Sequence, residues 1–79
     1  MKARVFVTLR SGILDPQGKA IEGALRSLQI EGIAGVRQGK LFDVELEGED
    51  RAAAKARLRE ACEKLLANQV VEDFEIEIV

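Results

Sequence analysis

The apolar residues of this chain change period four times along its length, and that ordered change restricts the fold more than any other feature. Over residues 2–10, Ala3, Val5, Val7 and Leu9 alternate with Lys2, Arg4, Phe6, Thr8 and Arg10, the pattern of a strand with one buried face. Ser11-Gly12-Ile13-Leu14 then forms a loop. Asp15-Pro16 follows, a capping carboxylate and a proline suited to the first helical position. From there Ala20, Ile21, Ala24, Leu25 and Leu28 recur at three- and four-residue spacing, which predicts a helix. Glu22 and Arg26 pair on its wet side, and Gly32 is placed to end it in a left-handed conformation.

Residues 33–47 predict a hairpin, with period two returning over Leu41 to Glu47. Ile33 to Arg37 leads in, Gln38-Gly39 offers the turn, and Phe42, Val44 and Leu46 then share one face. Gly48-Glu49-Asp50 stops that strand, with Glu49 or Asp50 available to cap a second helix over residues 51–67. Its stripe is Ala54, Leu58, Ala61, Cys62, Leu65 and Leu66, with Asn68 as C-terminal cap. The last strand, residues 70–79, turns Phe74, Ile76 and Ile78 inward. The order β-α-β-β-α-β predicts one α+β domain over residues 1–79, ferredoxin-like, with a four-stranded antiparallel sheet and two helices on one face. Charge then orders the strands. The first is basic on its outer face (Lys2, Arg4, Arg10), while the third and fourth are acidic (Asp43, Glu45, Glu47, Asp73, Glu75, Glu77). A basic strand between two acidic ones avoids opposing like charges.

A chain of 79 residues buries a marginal core, about 60% of its unfolded surface, and usually needs a staple. With one Cys and no His, neither an internal disulfide nor a zinc site is available, so association is the expected route. A net charge of −2 offers phosphate backbones no bulk attraction, which argues against nucleic acid. No apolar run reaches the roughly 20 residues that a membrane span needs. Met1 to Val5 enter the strand pattern with no apolar leader, so the expected location is the cytoplasm, where the thiol of Cys62 stays reduced.

No reactive constellation stands out. Without His or Tyr, acid-base work would fall to carboxylates on solvated faces. Cys62 reads as an inert core thiol. Gly12 and Gly18 lack the companions of a phosphate-binding loop. The expectation is no catalytic residue, metal ligand or cofactor site on this chain. Ile13-Leu14 needs cover, either from the chain's own core or from a partner. The basic stretch Gly35 to Lys40 is either a solvated hairpin or an anchor for a partner's carboxylate or phosphate. Phe6 with Leu41, and Val71 and Val79 nearby, points to a sheet face covered in an oligomer. An RNA-recognition sheet would need more aromatics. An acylphosphatase-like enzyme would need a glycine-rich cradle after the first strand, and a ligand-binding regulatory module of the ACT type shares the element order; these are the alternatives.

Three stretches together carry a resemblance. Leu14-Asp15-Pro16-Gln17-Gly18-Lys19-Ala20-Ile21, Val36-Arg37-Gln38-Gly39-Lys40, and Cys62 to Asn68 followed by Val70-Val71-Glu72-Asp73-Phe74 resemble the PurS family in register over the whole chain. Gln69 departs from the proline expected after Asn68. PurS proteins are the small subunits of phosphoribosylformylglycinamidine synthase. The resemblance implies a non-catalytic subunit that bridges a glutaminase and an ATP-dependent synthetase in purine synthesis and assists ammonia transfer. It further implies a homodimer or homotetramer, with ATP and Mg on the synthetase partner and none here. On that basis Leu14, Asp15, Pro16, Gln17 and Gly18 are expected to shape one partner contact, Arg37, Gly39 and Lys40 a second, and Phe6, Leu41 and Val71 an oligomer face.

Overall fold

Alternation at the two ends and near the middle of the chain becomes three strands, and the two helical stripes become two helices. The computed structural model describes all 79 residues. The elements are β1 (Lys2–Leu9), α1 (Pro16–Ser27), β2 (Gly39–Glu45), α2 (Arg51–Ala61, continued by a π-helical turn over Cys62–Leu66) and β3 (Glu72–Ile78). The sheet order is β2-β1-β3 and both pairings are antiparallel. Arg4 thus lies opposite Asp43 on one side and Glu77 on the other, the arrangement implied by the charge pattern. Exposed ion pairs such as Arg4–Asp43 (3.5 Å) contribute about 0–1 kcal/mol each, so they select the strand order without holding the fold.

What holds it is the inner face. Ala3, Val5 and Val7 of β1 are buried with Leu58 and Cys62 of α2 and with Ala67, flanked by Phe42, Val44, Phe74 and Ile76. Asp50 caps α2 by accepting from the backbone N–H of Ala52 and Ala53.

The expected fourth strand does not form, so the sheet has three strands and the ferredoxin-like prediction is corrected. Residues 33–38 include the β-branched Ile33 and Val36, but two of their backbone donors are taken by side chains at the start of the first helical segment. The Val36 N–H donates to the Glu22 carboxylate (3.1 Å), and the Gln38 N–H donates to Asp15 (2.7 Å). A backbone donor engaged in this way is not free for a ladder, and Gly32 and Gly35 weaken the strand further. Gly39, expected in a turn, instead opens β2.

The second correction concerns the helices. Only α2 packs on the sheet; α1 stands off it as an arm. The molecule measures 48 × 25 × 14 Å, with a radius of gyration of 15.8 Å. A compact chain of this length would have one of about 12 Å. The end of α1 also differs, since Gln29, at φ 60°, takes the left-handed position ahead of Gly32. In α2 the π-helical turn, closed by the Ala67 N–H donating to the Cys62 carbonyl (3.1 Å), inserts extra arc. It carries Leu66 and Ala67 toward the sheet and turns Leu65, expected in the stripe, out to 81% exposure. Asn68 follows the helix and does not cap it: its side chain accepts from the Val70 N–H, starting the turn into β3.

Candidate functional site

Two stretches far apart in sequence meet beyond one end of the sheet. Residues 10–18 leave β1 and enter α1, and residues 35–40 return from the arm into β2. Asp15 joins them. Its backbone is extended (φ −109°), which aims the carboxylate back along the helix. One oxygen accepts from the Gly18 N–H (2.9 Å) as an N-cap, and the other accepts from the Gln38 N–H (2.7 Å). Pro16 takes the first helical position, where no N–H is needed. The Arg37 guanidinium donates to the carbonyls of Leu9 (2.7 Å) and Arg10 (3.1 Å), and the Gln38 side-chain amide donates to that of Gln17 (2.8 Å). Glu22 completes the joint from inside α1 by accepting from Val36 while pairing with Lys19 (3.7 Å).

The same end of the sheet is tied to β3. Arg10 donates to the backbone carbonyls of Gln69 and Glu72, and its side chain pairs with Asp73 (3.3 Å). Lys40 pairs with Glu72 (3.8 Å), whose carboxylate also accepts from the Asn68 N–H (2.7 Å). Between these groups lies an open cleft of about 230 Å³, floored by Val7 and Leu9 and rimmed by Asp15, Gln38, Lys40 and Glu72.

The expected contact residues therefore divide by role. Asp15 and Gly18 are buried and belong to the scaffold. Gly39 does too, because a Cβ there would come within 2.7 Å of the Val7 carbonyl oxygen. Leu14 (69% exposed), Pro16, Gln17, Arg37 and Lys40 face solvent, and the structure gathers them into one surface instead of two. Phe6 and Leu41 face each other across β1 and β2, whereas Val71 lies beside Arg10 at the far end of β1. Glu22, Arg10 and Glu72 were not anticipated. For Glu72 a signal existed: it shares the inward parity of Phe74, Ile76 and Ile78, as Lys40 shares that of Phe42 and Val44.

The Gly18 N–H, then the Gln38 N–H, hold the Asp15 carboxyl below its ordinary value of 3.8; partial desolvation opposes them, and the Arg37 charge adds to the lowering. A depressed carboxylate pKa stabilises the fold above the unfolded value and loses that stabilisation as pH falls through the folded one. Wild type is therefore expected to lose stability below 3.8 faster than Asp15→Asn, which is weaker at neutral pH but has no charge there to lose. Urea unfolding at about pH 6 and about pH 3 measures the difference, followed by circular dichroism because the chain has no Trp or Tyr. Equal acid sensitivity of the two proteins would remove Asp15 from this role. Burial pushes the Cys62 thiol up, leaving it protonated and unreactive. No group of three or more His, Cys, Asp or Glu side chains is placed to hold a metal ion.

Comparison with known proteins agrees over the full length. A family model described as PurS, phosphoribosylformylglycinamidine (FGAM) synthase, matches residues 2–79. The phosphoribosylformylglycinamidine synthase subunit PurS of Mycobacterium leprae is 49% identical over 75 residues, covering 95% of this chain and 91% of that protein. The crystal structure of Methanocaldococcus jannaschii PurS, described as one of the subunits of formylglycinamide ribonucleotide amidotransferase in the purine biosynthetic pathway, superimposes with a TM-score of 0.88 at 38% identity, covering 96% of this chain and 92% of that one. A chain in the structure of PurLQS from Thermotoga maritima gives 0.89 at 37% identity, covering 98% and 95%.

Proposed function

Because this chain belongs to the PurS family, subunits of phosphoribosylformylglycinamidine synthase in purine biosynthesis, we propose that it is the non-catalytic bridge between the glutaminase and synthetase subunits of that complex and assists ammonia transfer between them. ATP and Mg are handled on the synthetase subunit, and the assembly works in the cytoplasm. No helix of the chain is long and apolar enough to cross a membrane.

The observation that carries this reading is the unpacked arm. In a chain folded for itself, the apolar stripe of α1 would lie on the sheet. Here Leu28 is 69% exposed, and Ile21, Ile30 and Ile33 also face solvent. Apolar surface of this extent on so small a protein marks a place to be covered. A second copy supplies one cover, giving a homodimer or homotetramer, and the larger subunits supply others. The Thermotoga maritima relative occurs in a PurLQS structure, which supports the heteromeric part.

Bridging also suits the chemistry. Ammonia released in water near neutral pH becomes mostly ammonium, which has no lone pair for attack. A subunit that closes solvent out of the junction preserves the nucleophile. The clefts on this chain are open on one side, so a shielded route would be completed by partner surfaces. Reconstitution from the three purified subunits tests the idea. Glutamine-driven amidine formation should need this chain, whereas formation driven by added ammonium salt should not. An equal requirement in both assays would make the chain part of the synthetase site instead.

A further inference from the structure

The outer face of the sheet, opposite α2, is left open and is unevenly charged. Five carboxylates on its strands, Asp43, Glu45, Asp73, Glu75 and Glu77, stand against two cations of β1, Lys2 and Arg4. Arg4 pairs with Asp43, and Arg10 reaches in from the end of β1 to pair with Asp73, so Glu45, Glu75 and Glu77 form no ion pair. At the centre of this acidic field lies an apolar row. Phe6 stands opposite Leu41 on one side and Glu75 on the other. Leu41 is 54% exposed and Phe6 is half-buried.

We propose that this face docks a cationic protein surface, seating a partner arginine with its guanidinium over the Phe6 ring and against Glu75, and its aliphatic stem on Leu41. The three groups fit the three parts of that side chain. A planar guanidinium stacks on an aromatic face and pairs with a carboxylate at the same time, which a lysine ammonium does less well. The methylene stem covers apolar surface. Arginine is also among the residues that most often anchor interfaces. The other occupants fit worse. Two copies of this face would set carboxylates against carboxylates, so the earlier expectation of an oligomer face at Phe6 and Leu41 meets a charge penalty. Nucleic acid is repelled outright.

The inference rests on the bridging function, the cationic surface belonging to one of the two larger subunits. Its test is a titration of the purified glutaminase and synthetase subunits with wild type and with Glu75→Arg. Glu75 is exposed, and circular dichroism verifies that the variant folds. Glu75→Arg should weaken complex formation by about tenfold or more, and the wild-type affinity should fall with salt more steeply than that of the variant. Sedimentation of the chain alone should be the same for both. If wild type assembles and Glu75→Arg assembles equally well, the docking face is wrong while the bridge stands. If the variant instead alters self-association, the face joins copies of this chain and the proposal fails. If wild type binds neither larger subunit, the bridging function fails and this surface with it.

Discussion

Leu58→Ala is expected to remove about 2–5 kcal/mol from the stability of the isolated chain. Leu58 is 3% exposed and packs with Val5, Val7 and Cys62 at the one place where a helix meets the sheet. Deleting its branched end removes transfer free energy and leaves a cavity that the β1 backbone, tied on both sides, cannot close. Only 9 of 79 residues are buried, so no second core shares the load. A domain of this size holds about 4–12 kcal/mol in all, and small ones sit near the low end. At about 1 kcal/mol per molar urea, the unfolding midpoint should drop by about 2 M or more at fixed protein concentration. Leu65→Ala provides the contrast. Helical periodicity places Leu65 on the same stripe as Leu58, but the π-helical turn rotates it into solvent, so its truncation should change stability by less than about 0.5 kcal/mol. Equal losses from the two substitutions would mean that α2 continues as a regular helix and that this account of its last turn is wrong.

That contrast shows where periodicity stops being informative. Alternation placed β1 and the middles of β2 and β3, though not their ends, because each strand's pattern is set by its own pleat. The carboxylate caps Asp15 and Asp50 were legible for the same reason, since a cap acts within three residues. The fate of residues 33–38 was not local. Ile33 and Val36 carry as much strand propensity as the residues of β2, and what diverts the segment is Glu22 and Asp15 reaching the backbone of Val36 and Gln38 from 14 and 23 positions away. Nor does amphipathicity identify what covers a helix. Ile21 and Leu25 show that α1 has an apolar side, but that side reads the same whether the chain's own sheet or another molecule lies against it. The site was half visible. Both stretches stood out, yet only the fold shows that Asp15 and Arg37 fasten them together, and that Asp15, Gly18 and Gly39 sit where the two stretches press on each other or on β1.

Gly18→Ala should destabilise the chain by about 1–3 kcal/mol, against the usual sign of such a change. In an exposed helix interior, alanine gains about 0.5–1 kcal/mol over glycine because glycine loses more backbone freedom on folding. Gly23, five residues further along α1, has nothing within 4 Å of where a Cβ would sit, so Gly23→Ala should show that ordinary gain. Gly18 lies beneath the returning crossover. Its Cβ would collide with the Val36 carbonyl oxygen and come within 2.5 Å of an Asp15 carboxylate oxygen. Neither neighbour yields cheaply. Moving Val36 breaks its bond to Glu22, and rotating Asp15 releases both the N-cap and the Gln38 N–H. The loss should therefore be concentrated at the mounting of the arm. Hydrogen exchange at the Gln38 and Val36 amides should rise well beyond the change in β1, while urea midpoints separate the two glycine variants in opposite directions. A stabilising Gly18→Ala would show that the crossover does not press on α1, and that Asp15 and Glu22 do not fasten the arm where their hydrogen bonds place it.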